Sequence, residues 1–539
     1  MYGYISGDAS RVVDREQGAV AGGPLLSVLQ ALRREMRRGT GVVDGAFMLI
    51  LFALALLVRV HDLGRQSLWL DEATQVWSSS LPVRTILARL AQSDTQPPLY
   101  YIALHGWMVV FGRSAVDVRF LSAVTGALAP PLLYAVGRTL AGRWVAALAA
   151  LLLIANPFHI WYSQETRSYA LMATLALAAA WLLLRWIGSA RPLWGILLAL
   201  ANALLLYTQS TTVLFVAAQV GYVVVTTCPR PLASMRMTRS IRLLWPFAGA
   251  LALWLPWVPT TLAQMGRGQT SWIPYATGGD AWTFLRALTG LDTGLGQVQP
   301  DLLHQIVAGL LLAVAVASLR VGWREALLFM GPAVLLFAFS THLHLWAPRA
   351  VLFAAAGMAV LVARGLARLP RPVGLAALIL IAGLGALAPT PAKEPWGGLA
   401  AALCANARSG DVVYAEPDYT LAPLAYYTMT RPCPPLILSP LHPLPTTPAA
   451  FLAHVFTRQG VEARAAAWLS GGGGPAEQGV YRQLVAQRAR IWFVCRDQGP
   501  ACPGPQGMTF RVQPVQRALF QWQHELILTS ALIGSSQSS

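Results

Sequence analysis

Lysine is almost missing from this chain. Its 539 residues carry 40 basic side chains, and one of them, Lys393, is a lysine. A nucleotide-binding loop of the Walker type needs a lysine straight after a Gly-rich turn. Lys393 stands instead in APTPAKEPW, and the one Gly run, SGGGGP, has no strand before it and no helix after it. Charge of either sign is scarce: 12% of residues are Asp, Glu, Lys or Arg, against about 25% in an ordinary soluble domain. That excludes a large soluble fold. Acidic residues number only 23, which leaves a net charge of +17. Cysteine is sparse too, at five, so a disulfide-built scaffold is excluded.

What is present in quantity is apolar sequence, 55% of the chain, with a mean hydropathy of +0.52. Runs long enough to span a bilayer, or nearly so, cover residues 42–60, 118–138, 142–158, 168–188, 193–207, 211–227, 243–263, 302–319, 325–341, 349–366 and 372–389. A span takes roughly 17–25 residues, so the chain reads as polytopic and α-helical with about eleven transmembrane helices. Arginine sets the orientation. With the polar tail 1–41 and its RREMRR inside, the inside loops receive Arg138 and Arg143, Arg185 and Arg191, Arg230 to Arg242, Arg320 and Arg324, and Arg364 to Arg371. This tail is read as a cytoplasmic segment and not as a signal peptide. The assignment requires PPLYYIALHGWMVVFG, 97–112, to lie in the interface within the first outer loop. Basic clusters that follow topology in this way argue for membrane lipid as the partner and against nucleic acid.

Three parts follow: the tail 1–41, a transmembrane part 42–390, and a segment 391–539 that is richer in Pro, Gly and polar residues. An odd number of spans leaves this last segment outside. DVVYA (411–415) and RIWFVC (490–495) read as strands and 396–408 as a helix, giving an α/β periplasmic domain. Cys404, Cys433, Cys495 and Cys502 lie in it, where disulfides form; the pairing is left open.

The same threading gathers polar residues on the outer face. SLWLDEATQVW puts Asp71 and Glu72 side by side after the first span. Asp94, Gln96 and Tyr101 flank a Pro-Pro pair. The next turns bring Gln164, Glu165, Arg167 and Tyr169, then Gln209, then His342, His344 and Arg349. Polar groups at membrane depth are costly and mark function or pairing. A carboxylate among aromatics suits a general base. Arginine matches phosphate oxygens in pairs. Nucleotide sugars and ATP are absent outside the cell, so a group donor there is lipid-borne and carries its phosphate at the membrane surface.

These segments carry a resemblance. LWLDEA after the first span, QPPLYY, NPFHIWYSQETRSYAL, YTQSTTVLF and APRAVLFAAAGMAVLVARGL, in that order, resemble bacterial GT-C glycosyltransferases related to protein O-mannosyltransferases and the lipid A aminoarabinose transferase. The resemblance implies an inverting transfer of a sugar from a polyprenyl-phosphate donor to an extracytoplasmic acceptor, at a bacterial inner membrane. It implies Asp71 as base with Glu72 beside it, Asp94 as a second carboxylate, and Arg167 and Arg349 at the donor phosphate. Gln96, Tyr101, Gln164, Glu165, Tyr169, Gln209, His342 and His344 are then candidates for the substrate cavity. Gln209 stands where relatives often have His, and Ala350 where they usually have Tyr. Some relatives use a divalent cation and others do not. A lipid or glycan transporter and a catalytically diverged envelope scaffold are the rival readings.

Overall fold

The computed structural model describes residues 42–227, 242–267, 270, 273–295, 300–388, 390, 392–409, 411–416, 421–438, 442–443, 490–497, 513–519 and 525–532. The tail 1–41, Cys228, Arg230, Arg236, Arg239, the loop 470–479 and Cys502 lie outside them.

The first apolar run is helix α1, Val42–Val60. Four helices then lead away from it: α2 (Leu70–Ser79), α3 (Val83–Ser93), α4 (Leu99–Phe111) and α5 (Ala115–Ala127). Helix α4 is the segment expected in the interface. Its 13 residues reach about 20 Å, short of the ~30 Å hydrocarbon core. Helix α5 continues through Leu128 into α6 (Ala129–Ala141), giving one apolar stretch of 27 residues. Next come α7 (Arg143–Ala155) and α8 (Pro157–Ser163), which meet at a bend of 59°. The bend has a local cause. Pro157 has no N–H to continue α7, and the Asn156 side chain accepts from the His159 amide to cap α8.

Five helical stretches among the described residues are long and apolar enough to cross a membrane, or six if the bent pair counts as one span. Fewer than the expected eleven therefore meet that length among the described residues. Hydropathy windows average across helix breaks. The run 243–263 divides into Trp245–Trp254, a 3₁₀ turn at Leu255–Trp257 and Val258–Gly266. The runs 302–319 and 325–341 merge into one 39-residue stretch, Leu302–Ser340, with a kink at Gly322 and a π turn at Ala326–Met330. Shorter apolar helices complete the set: α10 (Pro192–Leu206), α17 (Ala354–Leu366) and α18 (Arg371–Ala386). Every residue of α17 from Ala354 to Ala363 is buried, which places this helix in the centre of the main core.

Three of the arginines assigned to the inside, Arg138, Arg143 and Arg364, make ion pairs between helices. Asp44 accepts from Arg138, Arg143 and Tyr134. Arg364 binds both the Leu140 carbonyl and Glu325.

Beyond residue 390, helices α19 (Trp396–Asn406) and α20 (Leu421–Met429) accompany, among the described residues, strands β1 (Val412–Glu416), β2 (Ile437–Leu438), β3 (His442–Pro443), β4 (Arg490–Asp497), β5 (Gln513–Leu519) and β6 (Glu525–Leu532), in the sheet order β3-β2-β1-β4-β6-β5. The two expected strands lie at Val412–Glu416 and Arg490–Asp497 and pair in parallel, with Val413 opposite Trp492. Cys404 and Cys433 are joined in a disulfide, and Cys495 lies on the second of these strands. This segment does not stand apart from the rest. Leu68, Trp77, Tyr101, Trp396, Leu399, Tyr426 and Trp492 form one buried cluster. Backbone Leu68 donates to the Tyr427 hydroxyl at 2.7 Å, and Trp77 Nε1 donates to the Ala422 carbonyl at 3.0 Å.

Candidate active site

Helix α2 begins at Trp69 and puts both acidic residues in its first turn, where the exposed amides favour negative charge. Neighbouring residues on a helix point about 100° apart, and here the two carboxylates have different surroundings. Glu72 is fully buried. Arg119 grips it with two bonds, Nε to Oε1 at 2.8 Å and Nη2 to Oε2 at 2.6 Å. The Thr166 amide adds a third at 3.0 Å and Lys393 Nζ a fourth at 3.1 Å. Burial by itself would raise this carboxyl; the Arg119 and Lys393 charges overcome that and hold it down at about 2. A carboxylate with four donors has no lone pair left for an acceptor's proton. Asp71, half-buried, has no hydrogen-bond donor among the described residues.

Arg119 was not among the residues singled out from the sequence. It lies one turn into α5, after a Ser114–Asp117 capping box. Its Nη1 donates to the carbonyls of Leu63 and Gln66, and Nη2 donates to that of Ser67 as well. One guanidinium thus fixes the loop that leads into α2. Its only sequence signal is a charge inside an apolar run, DVRFLSAV.

The bend at Pro157 directs the turn 164–168 under this loop. Glu165 is buried, and its Oε2 has no hydrogen-bond partner among the described residues. Burial raises its carboxyl; Lys393 and Arg349 pull the other way, and the charges of Glu72 and Asp71 push it further up. Arg167 Nη1 donates to Gln75 at 3.4 Å, and its buried Nε has no partner among the described residues. Arg349, on the 3₁₀ turn Pro348–Val351, donates from Nε to the Tyr169 hydroxyl at 2.9 Å. The two guanidinium carbons flank the Tyr169 ring at 5.8 and 5.7 Å. The Asp71 charge acts on Glu165, Arg167 and Arg349 alike. These four groups, from three separate segments, therefore face one locality.

Glu165 and Arg349 line a narrow cavity with Trp69, Trp161, Tyr162 and Lys393. It measures about 30 Å³, room for roughly two waters. Lys393 and Trp161 also wall a larger cavity of about 390 Å³, bounded by Gln66, Arg119, Gln164 and the end of α18.

The remaining candidates are placed as follows. Asp94 is occupied locally: Oδ1 accepts from the Thr95 and Gln96 amides, and Oδ2 from the Tyr101 hydroxyl at 2.7 Å. It shapes the turn before Pro97. The Leu99 amide donates to the Tyr207 carbonyl at 3.0 Å, which brings the Gln96 turn against the Gln209 turn; the side-chain carbonyls of both glutamines are buried without a partner among the described residues. Gln164 donates to the Arg59 and His61 carbonyls and borders the larger cavity. The histidines stand away from both cavities: His342 is exposed, and His344 stacks on Tyr275 and bonds to the Ile273 carbonyl. Among the described residues no three His, Cys, Asp or Glu groups gather as a metal site. Glu72 is held by Arg119 and Asp94 by Tyr101, so neither offers a divalent cation an open carboxylate.

Residues 95–259 match the family model of dolichyl-phosphate-mannose-protein mannosyltransferases. The fold is similar to ArnT from Cupriavidus metallidurans in the apo state, at 14% identity and a TM-score of 0.54 over 90% of this chain and 98% of that one. It is also similar to ArnT from the same organism bound to undecaprenyl phosphate, at 13% identity and a TM-score of 0.53 over 93% and 99%. No curated protein sequence matches the chain. The chain has the fold of ArnT, and its residues 95–259 carry the sequence pattern of the dolichyl-phosphate-mannose-protein mannosyltransferase family model.

Proposed function

We propose that this chain is a membrane glycosyltransferase that moves a sugar from a polyprenyl-phosphate carrier to an extracytoplasmic acceptor with inversion. The observation that carries the reading is the contrast between the adjacent carboxylates: Glu72 is saturated by Arg119, Lys393 and Thr166, while Asp71 is open and acts on Glu165, Arg167 and Arg349. Undecaprenyl phosphate bound to a protein of the same fold supports the carrier class.

Asp71 accepts the proton of the acceptor's nucleophile. The nucleophile's electron pair forms the new bond to the anomeric carbon as the bond from that carbon to the phosphate oxygen breaks. The donor phosphodiester carries one negative charge and the departing lipid phosphate carries two. Arg167 and Arg349 therefore stabilise charge that grows along the reaction, which lowers the barrier more than it tightens substrate binding. One displacement inverts the configuration.

The sidedness belongs to the same proposal. Residues 1–41 are the cytoplasmic tail, 42–390 the catalytic part and 391–539 an extracytoplasmic α/β unit of a bacterial inner-membrane protein. The Cys404–Cys433 disulfide supports an oxidising location for the last of these. The arginines joined to Asp44 and Glu325 are among those assigned to the inside.

The test is transfer of labelled sugar from a polyprenyl-phosphate donor to membrane acceptors, with wild-type protein and with Asp71→Asn. Wild-type rates in the variant overturn Asp71 as base; no transfer by either protein overturns the donor class.

A further inference from the structure

The chain's one lysine lies at the point where everything in this site meets. Lys393 is nearly buried, with 7% of its side chain exposed. Its Nζ lies 3.1 Å from Glu72 Oε2, 3.5 Å from Glu165 Oε1 and 5.1 Å from the centre of the Trp161 ring. Its backbone amide is pinned to Gln66 Oε1 at 2.9 Å. It belongs to the wall between the narrow cavity and the larger one.

Two features of its surroundings point to a missing anion. First, the countercharge is short. Glu72 is shared with Arg119, which holds both its oxygens, so one carboxylate serves two cations. Glu165 Oε1 stands farther off, at 3.5 Å. A buried cation that shares its nearest counter-ion gains from an anionic ligand beside it. Second, donors near the cavity lack acceptors. Trp161 Nε1 and Arg167 Nε are buried without a partner among the described residues. Buried polar groups rarely go unsatisfied. Two orphan donors together with an ammonium that shares its counter-ion call for a ligand rich in acceptor oxygens and negative in charge.

We propose that Lys393 is a donor-contact residue. Its ammonium and the Trp161 indole N–H seat the phosphate oxygens of the lipid-linked sugar opposite Arg349. The inference rests on the reading above and extends it. The third cation comes from the segment that leads to the C-terminal sheet, so that unit completes the site. The packing agrees: Gly397, four residues on, donates to Ser67 Oγ at 3.0 Å, and Arg431 Nη1 donates to the Gly397 carbonyl. The loop before α2 and the segment after Lys393 are thus tied together.

A lone lysine allows a direct test on the wild-type protein, because an amine-reactive acetylating ester has one side-chain target. In lipid nanodiscs, undecaprenyl phosphate should slow acetylation of the Lys393 peptide about tenfold, the scale of one charge-assisted contact. Polyprenol, which lacks the phosphate, and inorganic phosphate at the same concentration should not slow it. Equal protection by polyprenol means that the chain merely covers Lys393, and equal protection by inorganic phosphate removes the lipid-borne source; either overturns the proposal, as does no protection by undecaprenyl phosphate. Lys393→Gln should lower kcat/KM for the donor about tenfold, and Lys393→Arg should restore it. An unchanged kcat/KM in Lys393→Gln, with transfer still lost in Asp71→Asn, overturns the role of Lys393 and leaves the proposed function standing.

Discussion

Arg119 and Glu72 form a two-pronged ion pair, at 2.8 and 2.6 Å, in which neither side chain is more than 2% exposed. The pair joins helix α5 to helix α2 and holds the loop between α1 and α2 through three carbonyls. It is a framework contact inside a site, and it separates the architecture of the site from its chemistry.

Removing one partner of such a pair leaves a buried charge uncompensated. Arg119→Met should lose on the order of 3–5 kcal/mol of stability. Arg119→Lys should recover little, because an ammonium cannot span both carboxylate oxygens and three carbonyls. Thermal unfolding of the purified protein in detergent reads both. A midpoint within a degree of wild type for Arg119→Met would show that the pair carries no weight.

Asp71→Asn and Glu72→Gln should fail in different ways. The first should unfold at the wild-type temperature and transfer sugar about 10²–10⁴-fold more slowly, the usual worth of a general base. The second should unfold at a lower temperature, with any activity loss tracking the folded fraction. Measuring rate and melting temperature on the same preparations distinguishes them.

The two buried carboxyls should give stability opposite dependences on pH. Glu72 sits at about 2 when folded, against 4.5 in the unfolded chain. A depressed carboxyl stabilises the fold above its unfolded value, and that stability drains away as pH falls from about 4.5 toward 2. Glu165 is raised, so its contribution is present below 4.5 and is lost as pH climbs through its folded value. Wild type should therefore lose melting temperature more steeply than Glu72→Gln between pH 5 and pH 3, and Glu165→Gln should gain relative to wild type as pH rises. Parallel curves for all three proteins would contradict this.

The Cys404–Cys433 bridge closes a loop of 29 residues. Loop closure of that size removes about 3–4 kcal/mol of unfolded-state entropy. Cys404→Ser should expose the chain after residue 390 to limited proteolysis at temperatures where the wild type resists. Cleavage at the same temperature in both proteins would mean that the bridge adds no stability to this segment.

Some of this was legible in residue order. The run 42–60 became a helix with those bounds, because nineteen mostly apolar residues without a helix breaker are a local property of the chain. The short length and Pro-Pro start of 97–112 marked α4 as too short to cross. Asp71, Arg167 and Arg349 stood out because polar side chains at the ends of apolar runs are expensive to place idly. The breaks were harder to see. Pro157, Gly322 and the turn at Leu255–Trp257 interrupt helices inside windows whose average hydropathy stays high.

Composition and order by themselves determined that the chain is helical and membrane-spanning, and where its apolar runs lie. Those properties depend on neighbours a few residues apart. Only the tertiary structure decided which of two adjacent carboxylates is spent and which is open, and that the single lysine enters the site. Glu72 meets Arg119 across 47 positions and Lys393 across 321. A charge reveals its partner only when folding has excluded water from both, and no local pattern in the sequence records that meeting.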